Sequence, residues 1–157
     1  MNIVATFAVD STTMNPRLKT KITDDEVFNW DRSNMEKFAY DALEAINRGK
    51  PELALELAMK IEDEVIRDRA LATIAPYLNT SQQYDRILHL LPSFEYKLFQ
   101  SYTLKSIKPK LQTKEQIEAA LQIVQSFAEQ PSKDVWLDEL QKKLEAYKQE
   151  DSNTAQQ

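Results

Sequence analysis

Apolar residues recur at three- and four-residue intervals along most of this chain, the spacing that gathers them on one side of an α-helix. Met35, Phe38, Ala39, Ala42, Leu43 and Ile46 form one such stripe. The pattern predicts helices over residues 34–48, 51–62, 64–78, 81–91, 94–110 and 114–129, a further helix over 132–149, and a short leading one over 24–30. Ahead of residue 22 the period changes. Ile3, Ala5, Phe7 and Val9 alternate and residues 11–20 are polar, so residues 1–22 read as an extended or flexible arm. The polar end, 150–157, reads as a disordered tail.

Helix boundaries are marked by specific chemistry. Thr23/Glu26, Ser33/Glu36, Thr80/Gln83 and Thr113/Gln116 have the spacing of a capping box. In that motif a Ser or Thr oxygen accepts from the third amide of the helix, and the Glu or Gln side chain reaches back to the cap amide. The single glycine, Gly49, follows the first stripe and precedes Pro51. Glycine suits the left-handed residue past a helix end, and proline the first turn of the next helix. Pro76 and Pro109 fall in the last turns of their predicted helices, where each removes an amide donor and crowds the preceding turn. A kink or an early stop is expected at both.

The stripes repeat. Leu57 to Thr80 lies over Leu90 to Thr113 without a gap at a spacing of 33 residues, with identities that include Leu71/Leu104, Ile74/Ile107, Pro76/Pro109 and Thr80/Thr113. A third copy continues the core positions, as in Ile61/Phe94/Phe127, Ile74/Ile107/Leu140 and Leu78/Leu111/Leu144. Repetition at this period is the signature of stacked helix pairs. The predicted fold is all-α: a right-handed stack of antiparallel helix pairs, an α-solenoid, over residues 23–149.

Ile61 to Ala75 reads I-x-D-x-x-x-R-x-x-A-L-x-x-I-A, carried by Ile61, Asp63, Arg67, Ala70, Leu71, Ile74 and Ala75. It resembles the degenerate helix-pair repeats of bacterial α-solenoids, tetratricopeptide-like and HEAT-like in layout. Ala42 to Ala58 is also similar to a tetratricopeptide unit, with small residues and a glycine before its second helix. The turn glycines of that pattern are missing elsewhere. The resemblance implies an architecture that binds other proteins, and it carries over no catalytic residue.

Composition narrows the functional classes. A chain of 157 residues with 42% apolar content suffices for one domain with a true core. The formal charge of -5 disfavours nucleic acid and anionic membrane surfaces as partners. The absence of cysteine excludes disulfides, thiolate zinc sites and a cysteine nucleophile. One glycine leaves no material for a phosphate-binding loop or a dinucleotide fingerprint. The N-terminus is a poor secretory signal, and no apolar run nears the roughly 20 residues of a membrane span. These features together predict a cytoplasmic protein that is not an enzyme and takes no cofactor and no metal. Export without a secretory signal is an alternative.

Four features of the sequence are candidates for chemistry. His89, the only histidine, falls off the core stripe and has no metal-ligand partner at useful spacing. Glu62, Asp63, Glu64 and Asp68 cluster at a helix junction. Asp63 there suits a cap, and its spacing to Arg67 suits an ion pair. Lys97, Lys105, Lys108, Lys110 and Lys114 make the segment around 94–110 locally basic, with Tyr96, Phe99 and Tyr102 among them. That combination fits a solvated face, a patch for an acidic protein segment, or a nucleic-acid surface. Trp30 is expected to staple the start of the chain to the helices, and Trp136 to pack in the last pair.

The leading expectation is a protein-interaction module (an adaptor, escort or scaffold) that holds a peptide or helix of a partner in a groove lined by the first helices of successive pairs. Its candidate residues are Glu52, Glu56, Lys60, Arg86, His89, Glu118 and Gln122, with Lys97, Lys105 and Lys108 on the opposite surface. A secreted bacterial effector or secretion chaperone, and a nucleic-acid binder using the lysines of 94–110, are the alternatives.

Overall fold

The computed structural model describes residues 30–128 and 131–155. Among them are seven α-helices, short 3-10 segments and no strand. In chain order the helices are α1 (Lys37–Asn47), α2 (Pro51–Met59), α3 (Glu64–Ile74), α4 (Ser81–Leu90), α5 (Lys97–Ile107), α6 (Lys114–Gln125) and α7 (Pro131–Ala155). The all-α class is therefore correct. The arm over 1–22, the Thr23/Glu26 capping box and all of the leading helix over 24–30 except Trp30 lie outside the described residues, and Trp30 itself is not helical. The chain divides into two compact units, Met1–Tyr77 and Leu78–Gln157.

In the first unit α1, α2 and α3 pack on one another. Their interface is built largely from alanine. Ala39, Ala42, Ala45, Ala54, Ala58, Ala70, Ala72 and Ala75 are all buried, joined by Leu43, Leu55, Leu71 and Ile74. Small side chains let helix backbones approach closely, and Leu55, Leu71 and Ile74 fill what remains. The turn from α1 to α2 works as its residues predict. Gly49 adopts a left-handed φ of 73° and its amide donates to Ile46, and Pro51 opens α2. The start of α1 is a correction. Ser33 does not cap it. Arg32–Asn34 form a 3-10 turn capped by Asp31, and Glu36 caps α1 by accepting from Phe38 and Ala39. A carboxylate next to the first turn reaches those amides more directly than a serine three residues upstream. Hydrogen bonds from the Ser33 hydroxyl and amide hold the Asp31 carboxyl below its usual range.

Trp30 docks on α3. Its indole Nε1 donates to Thr73 Oγ1 at 3.0 Å, and the Arg69 guanidinium lies 4.2 Å from the ring centroid. Burial pushes that guanidinium down to about 10, well above neutrality, so Arg69 remains a cation over the indole. Asp63 caps α3 through Ile66 N at 2.9 Å, as its position predicts. Arg67, expected to pair with Asp63, lies 3.6 Å from the buried Asp68 carboxylate.

The second unit holds α4 to α7. Thr80 and Thr113 both close full capping boxes, with Gln83 and Gln116 returning to the cap amides. Leu78, Ile87, Leu91, Leu104, Ile107, Ile117, Ala120, Val124 and Leu140 are its most buried apolar residues. α4 contacts α6, and α6 packs on α7. Proline truncates helices where predicted and once more. Ala75–Tyr77 and Lys108–Lys110 are 3-10 turns around Pro76 and Pro109, and Leu91–Ser93 is another around Pro92. Without such a proline α7 continues to Ala155, beyond the end at 149 that the pattern predicts.

Candidate functional site

The candidate residues fall on four helices. Glu52 and Glu56 on α2 of the first unit and Lys60 at its C-terminal cap are exposed, about one helical turn apart. Lys60 Nζ lies 5.9 Å from the Phe38 ring centroid. In the second unit His89 is exposed on α4, Glu118 and Gln122 are exposed on α6, and Arg86 is half-buried. Lys97 and Lys105 are exposed on α5.

Lys108 is a correction. The 33-residue register assigns it to an open basic surface, yet its side chain is only 12% exposed and bonds Glu139 Oε2 at 2.6 Å. The same ammonium sits 4.8 Å from the Trp136 ring centroid. Both partners come from α7, which the pattern of α5 alone does not reveal. Trp136 is half-buried and meets Phe127 edge-on at 6.0 Å and 61°, so it packs in the last helix pair as predicted.

Two more lysines carry structural bonds that the sequence does not announce. Lys110 Nζ approaches the Leu78 carbonyl at 3.4 Å, and Lys143 Nζ approaches the carbonyls of Lys108 and Pro109 at 3.4 and 3.3 Å. These two lysines are themselves 33 residues apart, a signal that a search for identical positions would have found. Burial, and then the nearby Lys108 charge, hold the Lys143 ammonium below the ordinary lysine range. Of the five lysines that make the 94–114 segment basic, Lys108 and Lys110 are thus drawn into contacts within the unit.

Gln116 is the other residue that sequence reasoning undervalues. It is 1% exposed. Its Oε1 accepts from Gln112 N at 2.7 Å and Thr113 N at 3.2 Å. Its Nε2 donates toward Ser81 O, Ser81 Oγ and Asp85 Oδ1 at 3.1, 2.8 and 2.8 Å. One side chain therefore closes the capping box of α6 and ties it to the first turn of α4.

Among the described residues no group of three or more His, Asp or Glu side chains is placed to hold a metal ion, and no helix is long and apolar enough to cross a membrane. No family model, curated protein or solved structure matches the chain.

Proposed function

We propose that the chain is a stacked array of helix pairs with a 33-residue period, related in layout to tetratricopeptide-like and HEAT-like solenoids, and that it works as a protein-interaction module. The observation that carries this reading is the one-sidedness of α4 and α6. On α4, Gln82, Asp85 and His89 are exposed while Gln83, Tyr84, Ile87 and Leu88 are buried. On α6, Glu115, Glu118 and Gln122 are exposed, each 33 residues beyond its α4 counterpart, while Gln116, Ile117, Ala120 and Leu121 are buried. Two neighbouring helices joined by Gln116 thus spend one face on the core and leave a matched polar face open. Matched faces on successive repeats are how helical arrays assemble an extended binding surface. The recurrence of capping boxes and proline-ended helices at equivalent positions supports the same reading.

The mechanism is capture of a peptide or helix of a partner protein by that outward face, with rim charges setting register and association rate. The test is affinity capture from the native host followed by mass spectrometry, using wild type and two charge-reversal variants. One variant changes Arg86 and Glu118 together; the other changes Lys97 and Lys105. Loss of a partner from one variant at unchanged melting temperature is the expected result. Identical capture by all three proteins refutes the reading.

A further inference from the structure

The second unit contains a cleft of about 430 Å³ between the end of α5 and the middle of α7. Its polar wall is Lys105, Lys108, Lys143 and Glu139, and its apolar wall is Trp136 with Pro109 and Leu140. Three lysines and one glutamate thus line the cleft. Glu139 neutralises Lys108 at 2.6 Å, and its own side chain is 52% exposed. Lys143 is held against the Lys108 and Pro109 carbonyls, close enough to Lys108 for the two cations to disfavour one another. Lys105 is exposed at the rim.

The repeat itself does not require this cluster. One period earlier, the positions of Lys105, Lys108, Trp136 and Glu139 are held by Ala72, Ala75, Thr103 and Ser106. The core positions beside them, Ile74/Ile107/Leu140, stay apolar throughout. Lys143 keeps a basic counterpart in Lys110, but Lys105, Lys108, Glu139 and the indole have none one period earlier, in a chain whose net charge is -5. A concentration of like charge opposes folding unless something of opposite sign joins it.

We propose that this cleft binds an acidic segment of a partner protein, with a Glu or Asp side chain set between Lys105 and Lys143 and a neighbouring aromatic or aliphatic side chain laid on Trp136. The proposal rests on the interaction-module reading and gives it a second, chemically defined surface. Charge complementarity selects the occupant. The excess of two positive charges suits one or two carboxylates, and the flat apolar wall beside them suits a side chain, not a second anion. Tryptophan is also among the residues in which interface energy concentrates. Nucleic acid is the poorer fit, because the cations gather around one cleft of a globally acidic chain and do not follow a track.

The test is a nuclear magnetic resonance titration of the full chain with the blocked tripeptide acetyl-Glu-Phe-Glu-amide. Saturable shifts of the Trp136 indole NH and of the Lys105 and Lys143 amides are expected, with none from acetyl-Gln-Phe-Gln-amide. Lys105→Glu should weaken the effect about tenfold without altering the thermal transition, since Lys105 is at the rim. Three results overturn the proposal: no local shift at about 5 mM peptide, equal shifts from inorganic phosphate alone, or tighter binding of an oligothymidine. The parent reading is scored separately. If Arg86 and Glu118 reversal abolishes host partner capture while the tripeptide produces no shift, the module stands and the cleft does not.

Discussion

Gln116→Ala isolates the one side chain that serves both a helix start and a helix-to-helix tie. The amide nitrogen has two N–H groups for the three oxygens within 3.1 Å, and Oε1 accepts twice, so four hydrogen bonds are made at most. Each neutral bond contributes about 1 kcal/mol net, and one to a carboxylate somewhat more. Water recovers part of this, because Ser81, Gln112 and Asp85 are not fully buried. The expected loss is therefore about 3 kcal/mol. Thr113→Ala removes the other arm of the capping box, a single bond at 3.1 Å, and should cost about 1 kcal/mol. Urea unfolding followed by tryptophan fluorescence, to which both Trp30 and Trp136 contribute, reads both. With a slope of about 2 kcal/mol/M, Gln116→Ala should lower the midpoint by about 1.5 M. A double-mutant cycle with Asp85→Ala should return about 1 kcal/mol of coupling across α4 and α6. If Gln116→Ala costs no more than Thr113→Ala, the cross-helix arm contributes nothing and the reasoning fails.

Gly49→Ala should cost about 1 kcal/mol in the same unfolding assay, entirely from the left-handed φ of 73°, because an added Cβ meets nothing within 4 Å. Gly49→Asn should recover much of that loss. Tyr84→Phe should cost about 1 kcal/mol by removing the buried hydroxyl that donates to Leu78 O at 3.1 Å. Lys143 should titrate below 10.5, and Lys108→Met should move it upward, as followed by the carbon resonance adjoining its ammonium. Because its folded value lies below its unfolded one, charged Lys143 opposes folding at neutral pH. That penalty should fade as pH rises through the folded value toward 10.5.

What the sequence made legible was local. Thr80/Gln83, Thr113/Gln116, Gly49 and Pro51 act within one turn of their own position, and each does what its residue type predicts. Ser33 fails for a reason equally local: its hydroxyl is given to Asp31, the Phe38 and Ala39 amides are taken by Glu36, and residue spacing does not rank such competitors. Exposure of Glu52, Glu56, His89, Glu118 and Gln122 followed from the stripe, because a helix face is a property of the helix alone. The fate of Lys108 did not, since it is decided by Glu139 and Trp136, 31 and 28 residues away. Val65, aligned with apolar partners, is 36% exposed, and Leu137 is only half-buried, so apolar type at a repeat position does not by itself secure burial.

The prolines connect these two levels. A helix that stops early leaves its last carbonyls without the amides of a further turn. In the second unit such carbonyls are met by a side chain from farther along the chain. Past Pro76, Leu78 O accepts from Tyr84 and lies within reach of Lys110. Beside Pro92, Leu91 O accepts from Gln100 Nε2 at 2.8 Å as well as from its closing amide. At Pro109, the Lys108 and Pro109 carbonyls face Lys143. Carbonyls at or just past these stops thus accept from side chains of later elements within the second unit. The spacing of proline sets the length of the helices and, through the carbonyls it releases, also selects the polar residues that must follow. Tyr84, Gln100, Lys110 and Lys143 belong to that accounting. Lys105 does not, and its place at the rim of the cleft is what the proposed acidic partner would use.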